Sequence, residues 1–101
     1  MSEVFEFGAI NNLIPDTQII LSLASVSEFD IPHQTDVIVT RAGKSKVLNT
    51  FVEQGGEHPE PSTFFLNGRN ARFFGLITDN AYVLSFNRGT NTLTIRRRGA
   101  K

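Results

Sequence analysis

The 101 residues, 40% of them hydrophobic, suit one domain built around one core, and at this size a chain can bury about two-thirds of its unfolded surface without a staple. Ten acidic residues balance ten basic ones and there is no cysteine, which excludes a disulfide scaffold, a thiolate metal site and a cysteine nucleophile. No run approaches the roughly 18 to 20 apolar residues of a membrane helix, and Glu3 and Glu6 stand where a secretory leader carries bases, so the expectation is a soluble cytosolic product.

Short β-favouring runs follow one another between clusters of Gly, Pro, Asn and Asp, with no internal repeat, and predict strands over 3–7, 17–23, 35–40, 46–52, 63–66, 71–77, 81–86 and 91–97. The fold class expected is all-β: a single small antiparallel β-sandwich or β-barrel of about seven to eight short strands. The domain covers 1–101, with short flexible tails at 1–3 and 98–101. In the first part of the chain, Ile19, Leu21 and Leu23 alternate with Gln18, Ile20 and Ser22 and define one apolar face. Before them, 11–16 reads as a loop whose Leu13 and Ile14 tuck under the sheet, and after them 24–29 permits a short helix with Val26 and Phe29 three apart.

Arg41-Ala42-Gly43-Lys44-Ser45 carries the Gly-Lys-Ser of a phosphate-binding loop, but Ile38 stands where that loop needs its earlier glycine, so these residues read as a hairpin turn with Gly43 at positive φ. Prolines 59 and 61 and the Gly55-Gly56 pair make 54–62 a projecting loop, because Pro lacks a ladder donor. From residue 62 onward the turns at 67–70, 78–80 and 87–90 divide the chain into a four-strand meander. Its final hairpin sets Tyr82, Leu84 and Phe86 against Leu93 and Ile95. Period-two positions give a core of Leu21, Leu23, Val37, Val39, Phe64, Phe73, Leu84, Phe86, Leu93 and Ile95.

Nine phenylalanines with one tyrosine and no tryptophan read as core material. Adjacent residues of a strand face opposite ways, so one member of Phe64-Phe65 and of Phe73-Phe74 must cover a second layer or join an interface; Phe65 and Phe74 are the candidates. His33 and His58 are 25 residues apart and have no i, i+2 or i, i+4 partner, so no metal site is expected, and no serine sits in a Gly-x-Ser-x-Gly turn. Catalytic residues, cofactors and an enzymatic activity are not expected.

Charge is unevenly spread: residues 1–60 hold nine acids and three bases, residues 61–101 one acid and seven bases. Such an asymmetry steers a partner or a neighbouring copy head to tail, or neutralises itself if the halves interleave. Arg88, Arg96, Arg97, Arg98 and Lys101 form the basic partner-binding candidates, since guanidinium forks match carboxylates and phosphates. If the final ladder stops at Ile95 or Arg96, the tail 97–101 is free to lie on an acidic surface. With a pI near 6.7, nucleic acid is not the expected partner.

With its all-β pattern, acidic N-terminal half, proline-containing loop at 54–62, Asn- and Thr-rich hairpin at 87–93 and short tails, the chain resembles small all-β virion proteins of tailed bacteriophages, of the capsid decoration or cement type. The resemblance implies a non-enzymatic structural protein of the virion, assembled in the host cytoplasm, that binds the major capsid protein and stabilises the shell. It also implies homo-oligomers, often trimers, attached through termini and edge strands. No residue role carries over. The rival reading is a small binding module for a glycan, an acidic protein or nucleic acid.

Overall fold

The computed structural model describes residues 2–54 and 61–98. The element order is β1 (Ser2–Phe7), β2 (Gln18–Leu23), β3 (Asp36–Arg41), β4 (Lys44–Gln54), β5 (Ser62–Phe65), α1 (Gly68–Phe74), β6 (Ala81–Asn87) and β7 (Thr92–Arg97). The strands close into a barrel in the order β1-β5-β2-β4-β3-β7-β6, with β6 returning to β1. Among the described residues the fold is all-β apart from one short helix. The expected antiparallel sheet is corrected to a mixed one: β1–β5, β2–β4 and β3–β7 run parallel, the other neighbours antiparallel.

Strand alternation fills the barrel. Phe5 and Phe7, Ile19, Leu21 and Leu23, Val37 and Val39, Leu48, Phe64, Tyr82, Leu84 and Phe86, and Leu93 and Ile95 all point inward and are buried. Phe64 is the hub of the aromatic packing, with ring centroids 6.3 Å from Phe5, 5.0 Å from Phe7 and 6.1 Å from Tyr82. The inward polar residue Thr50 is fully buried and satisfied: its hydroxyl donates to the Pro32 carbonyl at 2.6 Å and accepts from the Thr35 amide at 3.1 Å.

Each open end of the barrel is stoppered by a connection. At one end Phe29 and Ile31, from the segment between β2 and β3, are buried, and Phe29 meets Phe5 edge-on at 5.0 Å. At the other, Leu66, Ala71, Phe74 and Leu76 enter from α1 and its flanks. Residues 24–29 are therefore not helical: Ser27 donates its amide to the Ala24 carbonyl in a turn, and its hydroxyl bonds Glu3, which sends Phe29 inward.

The largest correction lies at 71–77, where the expected strand is instead the end of α1 and the turn after it. Asn67 caps the helix by accepting from the Asn70 amide, and Gly75, at φ 67°, ends it by donating to the Ala71 and Arg72 carbonyls. These caps satisfy backbone groups that a strand at this position would have to pair with a neighbour in an already closed barrel. The turn expected at 67–70 is thus the helix start, and the meander does not form, because β5 pairs with β1 and β2 instead of β6. Phe73 moves from expected core to surface, 38% exposed, while Phe74 is buried at 3%.

The other turns sort as follows. Ala42 and Gly43 both have positive φ, as a two-residue hairpin of mirror-image type requires, and Gly43 stands where it was expected. Asp79 has positive φ in the 78–80 reversal. In the last hairpin the left-handed residue is Asn91, while the Asn87 side chain accepts from the Gly89 and Thr90 amides. Of the apolar pair in 11–16, Ile14 is buried and Leu13 is 92% exposed. The expected tail at 1–3 is corrected in part, since β1 pairs with β6 from Ser2. The central part of the projecting loop, with His58, lies outside the described residues, as does Lys101.

Candidate functional site

The pairing fixes which connections share an end. One end gathers 8–17, the β3–β4 hairpin and 66–80, together with the start of β6 and the end of β7; the opposite end gathers 24–35 and the β6–β7 hairpin tip. Charge separates along the same axis. The first end carries Arg41, Lys44, Lys46, Arg69, Arg72, Arg97 and Arg98 against Glu6, Asp16 and Asp79. The second carries Glu3, Glu28, Asp30, Asp36 and Glu53 against Arg88. The sequence asymmetry therefore survives folding as two oppositely charged ends.

A network of polar side chains secures α1 across the basic end. The Asn67 side-chain amide donates to Asp16, that of Asn70 to the Asp16 carbonyl at 2.9 Å, and the Gly68 amide to Asn12 at 2.8 Å. Lys46 Nζ donates to Asn70 Oδ1 at 2.6 Å and Arg69 pairs with Asp16 at 3.4 Å. Arg41 Nε donates to the Phe74 carbonyl at 2.9 Å while its guanidinium lies 5.2 Å from the Tyr82 ring centroid. Lys46 and Lys44 approach the Phe73 ring at 5.6 and 5.8 Å, so this exposed aromatic is flanked by cations. Ile10, Leu13 and Ile77 are also exposed at the same end.

The sequence candidates do not assemble into one patch. Arg88 occupies the tip of the β6–β7 hairpin and pairs with Asp30, whereas Arg97 pairs across from Tyr82 at the hairpin base. The ladder does not stop at Ile95 or Arg96: β7 runs through Arg97, and the Arg98 amide donates to the Ala81 carbonyl, which corrects the free tail expected from residue 97 and, at Arg98, the tail expected at 98–101, whose residues 99–101 lie outside the described ones. Backbone pairing across from β6 offers these residues partners that a detached tail would lose. Arg96, Arg97 and Arg98 are exposed, and no described carboxylate lies within ion-pair distance of them.

Phe74 is buried as the barrel stopper and cannot meet a partner; the exposed member of that pair is Phe73. Phe65 is half-buried on the outer wall, against Gly8, where an added Cβ would stand 2.3 Å from its ring. Sequence reasoning missed Arg41, Lys44, Lys46 and Arg72 because they are dispersed along the chain. The signal was the pair of caps Asn67 and Gly75, which brackets a helix and turns Arg69 and Arg72 toward one end.

The remaining features are structural. His33 Nδ1 accepts from the Val52 amide at 2.9 Å and its ring meets Phe51 edge-on, so it ties a connection to β4. Among the described residues no three His, Asp or Glu side chains are grouped to hold a metal, and no helix is long and apolar enough to cross a membrane. A shallow depression on the acidic end is lined by Ser2, Glu3, Val26 and Glu28. No protein-family model, curated protein or solved structure matches the chain.

Proposed function

We propose that this is a non-enzymatic structural protein that binds other protein subunits through the ends of its barrel, of the virion decoration kind that the sequence resemblance implies. One observation carries the reading: a closed barrel, filled by its own side chains, presents two ends of opposite charge. Closure leaves no edge strand among the described residues, so attachment by strand addition gives way to attachment by side chains. The basic end offers what such attachment uses, namely exposed cations beside exposed Phe73, Ile10, Leu13 and Ile77.

The test is to look for a major capsid gene beside this one and, with shells assembled from its product, to measure co-sedimentation. Saturable binding at fixed stoichiometry, with greater resistance of the shell to heat, supports the reading. A chain with no capsid gene nearby that binds an immobilised glycan instead belongs to the rival class of binding modules.

A further inference from the structure

We propose that copies of this chain associate head to tail, the basic end of one seated on the acidic end of the next. The inference rests on the reading that the barrel ends bind protein, and it names a second copy as the occupant. Charge complementarity is the first argument. Among the described residues, the bases at one end exceed its acids, with Asp16 already engaged by Arg69, while the other end carries Glu28, Asp36 and Glu53 exposed and a single base, Arg88, that already pairs with Asp30. Each end repels its own kind and attracts the other, so a two-fold dimer through like ends is disfavoured.

Shape and polarity supply the second argument. Phe73 stands out from the basic end with Lys44 and Lys46 against its ring. The depression at the acidic end is lined by Val26, 75% exposed, with Ser2, Glu3 and Glu28; the Glu3 carboxylate already accepts from the Ser27 and Ser62 hydroxyls, so the exposed Glu28 is the carboxylate offered to a partner. An apolar ring with flanking ammonium groups therefore meets an exposed valine beside an exposed carboxylate. Burying Phe73 against Val26 would remove two exposed hydrophobic groups from water while the exposed Lys44 gains Glu28 as an acidic neighbour.

The geometry sets the consequence. The two surfaces lie at opposite ends of a body about 32 Å across, so the contact is heterologous and propagates as a stack. Backbone amides and carbonyls of the closed wall take no part. Nucleic acid would use only the basic end and leave the acidic end without a role.

The experiment uses two charge-reversed variants of the full chain at exposed positions: Lys44→Glu with Arg72→Glu, and Glu28→Lys with Glu53→Lys. Sedimentation velocity is run over a range of concentrations, at about 0.01 M and about 1 M salt, where the screening length falls from roughly 30 to 3 Å. The wild-type chain should associate at low salt and dissociate at high salt. Each variant alone should be monomeric at low salt, because its altered end now holds as many acids as bases among the described residues and no longer attracts the intact end, and an equimolar mixture should associate again, the intact basic end of one variant on the intact acidic end of the other. Circular dichroism on each variant verifies the fold. A wild-type chain that stays monomeric at low salt overturns the proposal, as does association that both variants retain or a mixture that stays monomeric. A monomer whose basic end binds a single-stranded oligonucleotide, with loss in the first variant, overturns it in favour of nucleic acid. Failure of shell binding with self-association intact would remove the virion reading and leave this one standing.

Discussion

Arg41 reaches from the end of β3 to donate a 2.9 Å hydrogen bond to the carbonyl of Phe74, the last residue of α1, and so locks the helix onto the barrel rim. The helix is only seven residues long, below the length at which an isolated helix holds itself together, and depends on such ties. Removing the side chain leaves the Phe74 carbonyl short of a charged donor. Arg41→Ala should lower stability by about 1.5 to 3 kcal/mol, read as a shift of the urea midpoint at unchanged slope. Arg41→Lys should recover only part, since an ammonium cannot donate to the carbonyl and lie flat on Tyr82 in the same way. An unchanged midpoint in Arg41→Ala would show that α1 is held without it.

The caps should matter by a comparable amount. Asn67→Ala loses the acceptor for the Asn70 amide and the bond to Asp16, at a cost of about 0.5 to 2 kcal/mol. Gly75→Ala places a Cβ in left-handed backbone, at a cost of about 1 to 2 kcal/mol, although space around it is open. Hydrogen exchange should localise the loss: amides of α1 exchange faster, while those pairing β2 with β4 keep their order. Uniform acceleration through the whole barrel would contradict a separately anchored helix.

Most of the barrel wall is legible because strand alternation is a local signal: Ile19, Leu21 and Leu23, or Leu84 and Phe86 opposite Leu93 and Ile95, need no knowledge of partners to be placed inside. What is not local is harder to read. Phe73-Phe74 looks like strand by propensity, and only the caps at Asn67 and Gly75 decide for helix. Parallel pairing of β1 with β5 joins residues more than fifty positions apart, and no turn signals it. The charge asymmetry is visible in the sequence, but its meaning depends on strand direction, which sets Arg88 and Arg97 at opposite ends of one hairpin.

Gly8 and Phe65 should behave as a coupled pair. A Cβ at position 8 would stand 2.3 Å from the Phe65 ring and 3.0 Å from Thr63 Cγ2, so Gly8→Ala forces the ring off the wall. Overpacking of this kind costs typically about 1 to 3 kcal/mol. In the double variant Gly8→Ala, Phe65→Ala, the ring is gone and the added methyl has room. The two effects should therefore fall short of their sum by at least about 0.5 kcal/mol in a thermodynamic cycle. Simple additivity would mean that the ring swings aside without cost.

The neighbouring phenylalanines of α1 give the sharpest contrast. Phe74 closes the barrel at 3% exposure, so Phe74→Ala removes a buried ring and leaves a cavity next to the core, for which about 3 to 5 kcal/mol is the usual cost. Phe73 is 38% exposed and meets the Phe74 ring edge-on at 4.9 Å, with Lys44 and Lys46 alongside; Phe73→Ala should cost less than about 1.5 kcal/mol, mainly the edge contact and part of its apolar area. The order reverses for association, because Phe73 is the ring placed to enter the acidic depression of a second copy. At low salt Phe73→Ala should remain folded and shift self-association to higher concentration, whereas a Phe74 variant that still folds should associate as the wild type does. Urea titration and sedimentation velocity on the same samples read both quantities. If Phe73→Ala is the more destabilising of the two, the strand alternation expected from the sequence describes the helix face better than the structure does, and Phe73 belongs to the core.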